Sequence, residues 1–251
     1  MLRWLDGKDA AVDLRVQIPG GARALLAPAW REYSRLRDGA AGQLVDCAIR
    51  AGVPVVVHDT VSMVYADGGD ALLDERAPVE APGALSANLA AERHLERLTR
   101  SGGRGVALRF GQFYGPDDVV STDTLKRAER GQALVLGDLA GWTSAVHTDD
   151  TGPAVVAALE VPGGVYNVVD DEPMRRADLL SLLGELVGRP WLRRPPALVT
   201  AMASAPVKAL GRSQRVSAEQ FRRVSGWRPS VGSRRSGWPS VARRLRGVGA
   251  P

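Results

Sequence analysis

The stretch VPVVVHDTVSMVY (53–65), together with LSANLAAERHLERLTRSGGRGVALRF (85–110), decides the fold. Val53 to Val57 is short, apolar and β-branched, which reads as a buried strand. Leu85 to Arg100 carries apolar residues at helical spacing and stops at Ser101-Gly102-Gly103, which reads as a helix. Val106 to Phe110 is the next apolar strand. Upstream, Ala10 to Val16 reads as another short strand. Residues 22 to 52 read as mostly helical, with Ala40, Leu44, Cys47, Ala48 and Ala51 on one face and Gly52 as the stop. Strand, helix, strand, helix, strand with short connections implies right-handed crossovers. The sheet is then parallel with helices on its faces.

Downstream, the spacing predicts helices over about 122–131, 149–159 and 177–187. It predicts short strands over 133–137 and 164–169. Pro195-Pro196 marks a loop. Gly102-Gly103-Arg104-Gly105 follows a helix and precedes a strand, the reverse of the order a phosphate loop requires.

Composition excludes several classes. The chain has 251 residues, 45% hydrophobic and 24% charged, with a net charge of +5, so it buries a core and is not a disordered chain. One cysteine, Cys47, excludes a disulfide scaffold, and His58, His94 and His147 make no metal-ligand spacing. No run of about 18 apolar residues is present, and the N-terminus lacks a basic-then-apolar leader pattern, so a cytoplasmic protein is expected. Charge concentrates at the end. From Pro206 to Pro251 there are eleven Lys/Arg against Glu219 alone. Such a tail reads either as a solvated face or as an arm for nucleic acid or another polyanion.

Several segments resemble, in order, the extended short-chain dehydrogenase/reductase family, also called the NAD-dependent epimerase/dehydratase family. They are VVVHDTVSMVY (55–65), DERAPVEAP (74–82), NLAAERHLERL (88–98), LRFGQFYGPDD (108–118), VHTDDTGPAVVAAL (146–159), GVYNVVDDEP (164–173) and SGWRPS (225–230). The resemblance implies an α/β, Rossmann-like parallel sheet with flanking helices and a smaller C-terminal α/β substrate lobe. It divides the chain into 1–118, the remaining part of a NAD(P)-binding domain, 119–205, mainly the substrate lobe, and 206–251, basic helices and tail. It implies NAD or NADP as cofactor and a small-molecule hydroxyl or keto substrate, with a homo-oligomer open.

Three departures shape the expectations. The family opens with a strand, a Gly-x-x-Gly-x-x-Gly turn and a helix, where the backbone approaches the pyrophosphate. This chain shows no such turn, so the sheet is expected to be N-terminally incomplete, with an exposed apolar edge at Val12–Val16 and Val53–Val57. The chain by itself is expected to bind dinucleotide weakly. Second, the family's Tyr-x-x-x-Lys pair falls on Ala84 and Asn88, neither an acid–base group. Substitutes at the strand end are Thr60, Ser62 and His58, the last beside Asp59. Cofactor contacts are expected from Leu14, Arg15, Thr60, Asn88, Phe110, Gly111, Gln112 and Phe113. Third, the Arg that nucleotide-sugar members often place before His-x-Asp-Asp is Thr143, beside Trp142. This implies a substrate wall of Tyr114, Trp142 and Thr143 and argues against a nucleotide sugar. Arg109 is expected to pair with a carboxylate of the body. Two functions follow: an atypical NAD(P)-dependent oxidoreductase or epimerase-like protein, or a non-catalytic descendant that binds a partner or senses.

Overall fold

The computed structural model describes residues 1–196 and 200–247. Four parallel strands form the central sheet: β1 (Ala10–Asp13), β2 (Val55–Val61), β3 (Arg104–Phe110) and β4 (Gly164–Val168). They lie side by side in that order, with Ala10 opposite Val55, Val57 opposite Val106 and Val106 opposite Gly164. All four carboxyl ends therefore point the same way, which is where open α/β sheets place their ligand crevice.

Alternation of side chains sets the two faces. Val55, Val57, Val106, Leu108, Phe110 and Val168 pack on one side with Tyr65, Phe221 and Trp227. Val56 and Ala107 pack on the other, under helices α1 (Ala41–Ala51) and α2 (Ser86–Arg100), through Leu44, Val45, Ala48, Leu95 and Leu98. Helix α1 ends at Gly52, whose φ of 69° is the left-handed geometry that glycine adopts without strain. Gly105 serves a different need. A Cβ there would sit 2.1 Å from the Leu95 carbonyl oxygen, so glycine lets the backbone of α2 lie directly on β3.

The second layer of the chain forms its own core. Helices α3 (Val119–Glu129), α5 (Arg176–Val187) and α6 (Arg234–Leu245) belong to it, with short strand pieces at 112–114, 142–143, 145–147 and 174–175, while α4 (Thr148–Ala158) packs on the sheet's core through Ala154 and Ala158. Helix α3 is capped by Asp118, which accepts from Ser121 N at 2.7 Å. Leu125, Leu182, Leu183, Trp238 and Val241 join α3, α5 and α6 in one cluster. Much of this layer is fastened by guanidinium groups donating to backbone carbonyls. Arg194 donates to Val135 and Gly137, and Arg176 to Leu210 and Arg212.

The structure corrects several boundaries. Residues 22–52 are mostly helical, as expected, but mixed in helix type, with one α turn at Arg31–Ser34. Pro19, Gly20, Gly21 and Pro28 break the first part into 3-10 turns, and Arg35–Ala40 is a π-helical turn feeding α1. Strand β2 runs past the apolar run to Val61. No regular strand forms over 133–137, because Arg194 takes the carbonyls of Val135 and Gly137 that a neighbouring strand would use. The expected exposure at the sheet edge is found at Val12, Leu14 and Ile18, at 44, 48 and 58%. Val55 to Val57 are instead at most 3% exposed, because they lie between β1 and β3. The basic tail is folded back onto the body. Arg212 pairs with Glu80, Arg222 with Asp171 and Arg246 with Glu129, while 248–251 lie outside the described residues. No described helix is long and apolar enough to cross a membrane.

Candidate functional site

The strand ends bring the expected catalytic residues together, but they face inward. His58 is 1% exposed. Its Nδ1 lies 2.9 Å from the Asp13 carbonyl across β1, and its Nε2 has no partner. Burial, then the nearby Arg37 cation, pushes its pKa down, so the ring is held neutral. The adjacent Asp59 does not form a dyad with it. The Asp59 carboxylate pairs with Arg37, Oδ1 to Nη1 at 2.6 Å and Oδ2 to Nη2 at 2.5 Å, and Arg37 Nη1 also donates to the Asp59 carbonyl. Thr60 is likewise committed. Its hydroxyl is buried and donates to the Leu108 carbonyl at 3.3 Å, with Glu92 Oε1 at 3.4 Å. Ser62 is buried where β2 turns into a 3-10 segment. Among the four, polar partners from β1, β3, α2 and the π turn explain why a polar run continues a strand.

The position expected to hold a lysine is sealed. Asn88 is 0% exposed, and its amide donates to Tyr33 Oη at 2.8 Å and to the Leu85 carbonyl at 3.0 Å. Tyr33 Oη donates back to Asn88 Oδ1 at 3.0 Å. The expected ribose contact at Asn88 therefore requires breaking this pair. Sequence reasoning missed Tyr33, which lies 55 residues upstream. Its phenol is pushed up by burial and stays protonated at neutral pH. Ala84 sits in the turn before α2 against the apolar cluster of Trp30, Tyr33, Leu136, Ala203 and Val207.

Glu92 is the carboxylate that holds Arg109, through two hydrogen bonds of 2.7 Å, and the guanidinium lies 4.9 Å from the centre of the Tyr65 ring. Tyr65 itself is fully buried and donates to Asn167 at 2.8 Å, a structural role. A groove of about 350 Å3 runs beside α2 between Leu89, Ala107, Arg109 and Val165, on the face of the sheet rather than at the crevice.

The expected substrate wall is rearranged. Tyr114 is 1% exposed, stacked on Trp238 and edge-on to His147, so it belongs to the core. The Trp142 ring is covered by Arg175 at 4.3 Å and Arg215 at 4.8 Å, and its Nε1 donates to Asp70 at 2.8 Å. It clasps three segments rather than presenting a ring to a ligand. Trp142→Ala is expected to cost about 1.5–3.5 kcal/mol, the sum of two partly exposed cation–π contacts and a hydrogen bond. Urea denaturation checks this. Thr143 is buried and accepts from Arg234 Nη1 at 3.1 Å. Asp150 anchors the C-terminal loop by accepting from Ser230 N, Ser230 Oγ and Val231 N.

The fit to a nicotinamide dinucleotide is divided. At the strand ends, Leu14 and Phe113 are partly exposed and apolar, and the Arg15 side chain is 51% exposed while paired with Asp13. These suit the nicotinamide half. Among the described residues no strand passes through a glycine-rich turn into a helix. Gly111 and Gly115 serve packing, since a Cβ would lie 2.9 Å from the Ala145 backbone and 1.9 Å from Thr148 Oγ1. The pyrophosphate half has no cradle among them.

Comparisons with known proteins bear on the family and the fold. The NAD dependent epimerase/dehydratase family matches residues 39–168. A curated relative, the 3-diazoavenalumate denitrifying reductase of a Streptomyces species, is 33% identical over 218 residues, covering 83% of this chain and 72% of the relative. MoeE5 in complex with UDP-glucuronic acid and NAD superposes with a TM-score of 0.78 at 21% identity, over 98% of this chain and 82% of that one. The dTDP-glucose 4,6-dehydratase DesIV of Streptomyces venezuelae, with NAD bound, gives 0.78 at 21% identity, over 98% and 76%. At those identities the two structures establish the fold alone.

Proposed function

Because the chain belongs to the NAD dependent epimerase/dehydratase family, we propose that it acts as a reductase whose chemical step needs no acid–base pair from the protein. The observation that carries this is Asn88. At the position of the family's lysine stands a fully buried amide bonded to a protonated Tyr33, with Ala84 at the tyrosine position. Neutral His58 and the Arg37-bound Asp59 add no group poised to move a proton.

Epimerisation and keto reduction at a carbinol carbon both require a proton to move. Loss of N2 from an aryl diazonium cation does not, because the incoming hydride cancels the cation's positive charge. A hydride forms the new C–H bond with its own electron pair, the C–N bond breaks, and nitrogen leaves as N2. The relative's name describes a reductase that denitrifies a diazo acid. A carboxylic acid that carries an aryl diazonium cation is accordingly the substrate class proposed here. When bound, reduced nicotinamide supplies the hydride. Leu14, Arg15 and Phe113 would line its strand-end half. Tyr33 and Arg37 hold Asn88 and Asp59 in place by hydrogen bonds.

The test is oxidation of NADH or NADPH, deuterated at the transferred position, with a carboxyl-bearing arenediazonium salt. It uses this chain and a version joined before Met1 to a strand–glycine turn–helix unit. The expected result is nicotinamide oxidation above the protein-free rate, with deuterium on the ring carbon that carried nitrogen. Oxidation at the protein-free rate by both versions would refute the reading. Failure of both to bind either dinucleotide in a calorimetric titration would leave the partner-binding alternative.

A further inference from the structure

We propose that Arg234 is a positioning residue that fixes Gln112 and Thr143, the latter on the expected substrate wall. Arg234 is the first residue of α6, and it is 5% exposed. Its guanidinium forks. Nη1 donates to Thr143 Oγ1 at 3.1 Å and Nη2 to Gln112 Oε1 at 2.8 Å. Gln112 and Thr143 belong to two different strand pairs, 112–114 with 145–147 and 142–143 with 174–175. One planar group from a helix 91 residues downstream of Thr143 thus sets the distance between them.

The cation has no carboxylate within 4 Å among the described residues, and its Nε has no partner. The carboxyl that bears most on it is Asp170, which follows β4, is 3% exposed, has no hydrogen-bond partner at either oxygen and shares its surroundings with Tyr114. Each is the leading charged neighbour of opposite sign to the other. The backbone of Asp170 is itself fixed, donating to the Ala145 carbonyl at 2.6 Å. The charge of Arg234 is therefore turned inward, and its fork, not its charge, is what reaches the wall. A lysine would keep the charge but offers a point donor that cannot span two acceptors. What this wall does in turnover rests on the reading of the preceding subsection, while the positioning does not.

The experiment compares Arg234→Lys, Arg234→Leu and the double change Arg234→Leu with Asp170→Ser. Denaturant stability is measured alongside hydrogen exchange of peptides covering 110–116 and 141–147. Arg234→Lys is expected to retain most of the stability yet exchange about tenfold faster in both peptides, the effect of losing a hydrogen bond to a charged group. The double change is expected to regain stability lost by Arg234→Leu but not the local protection. Thr143→Val, which keeps shape and charge, is expected to loosen the same peptides if the lysine variant does not fold. Local protection that follows global stability in every variant would overturn the proposal. With the arenediazonium probe, KM should rise more than kcat falls. A wild type that does not turn the probe over counts against the function proposed above, and the exchange data still decide this inference.

Discussion

Replacing Arg37 by methionine is expected to destabilise the protein by about 3–5 kcal/mol, the range for removing one partner of a buried ion pair. Arg37 is 1% exposed and Asp59 6%. The variant would strip the Asp59 carboxylate of both charge-assisted hydrogen bonds and its carbonyl of a third. It would also remove the cation 5.6 Å from the centre of the Tyr33 ring, loosening the residue that closes Asn88. Net stabilities of domains are about 5–15 kcal/mol, so this single change approaches the margin. Arg35→Ala is the control. Arg35 pairs with Glu32 at 2.5 Å, as close as Arg37 to Asp59, but its side chain is 64% exposed. Water already solvates that pair, and its loss is expected to leave stability nearly unchanged. Guanidinium chloride melts of the two variants give the comparison. Arg37→Met with Asp59→Leu should recover most of the loss, because the cost lies in the orphaned charge. Equal losses for Arg35→Ala and Arg37→Met would show that burial is not what makes the Arg37 pair matter.

The same contrast explains what is legible in the sequence. Strands β2 and β3, helix α2 and the α4–β4 unit follow from local pattern, because their apolar residues repeat at 2.0 or 3.6 and their ends carry glycine or caps. The family is legible for a related reason, since LRFGQFYGPDD and its neighbours are contiguous. The site is not. His58, Asp59 and Thr60 meet partners 45, 22 and 32 residues away. Nothing in the order His-Asp-Thr reveals that the first two point to different neighbours. Trp142 reads as a free ring because Arg175 and Arg215, which cover it, come from other segments. The segment 22–40 reads as helix from composition. Helical it is for the most part, but the local pattern does not show the helix type: a 3-10 turn at Ala27–Trp30, an α turn at Arg31–Ser34 and a π turn at Arg35–Ala40 that carries Arg37.

Stability is expected to fall between about pH 4 and 7 through Asp170. Burial is the main cause that pushes this carboxyl up to about 7 from an ordinary 3.8. The sign follows from proton counting. Below pH 4 both folded and unfolded chains hold the proton, and the contribution is fully present. Between 4 and 7 the unfolded chain releases it while the folded one keeps it, so each rise in pH favours unfolding. Above 7 both are ionised and the loss is complete, on the order of 4 kcal/mol for about three pH units. His58 acts in the opposite sense. Its lowered pKa means that stability is present above about 6.5 and is lost on acidification, as the unfolded chain takes up a proton that the buried ring refuses. The two slopes overlap, so a wild-type profile alone would look flat. The difference between wild type and Asp170→Asn isolates the carboxyl, because His58 titrates in both. The amide of the Asp170→Asn variant has no proton to release, so the variant's advantage over wild type should grow from pH 5 to pH 8 and then level off. Chemical denaturation at unit pH steps measures it. A difference that stays constant across that range would mean that Asp170 is already ionised in the folded protein at pH 5. The guanidinium of Arg234, pushed down by burial to about 10, would then be holding that charge more firmly than the burial of either group opposes it.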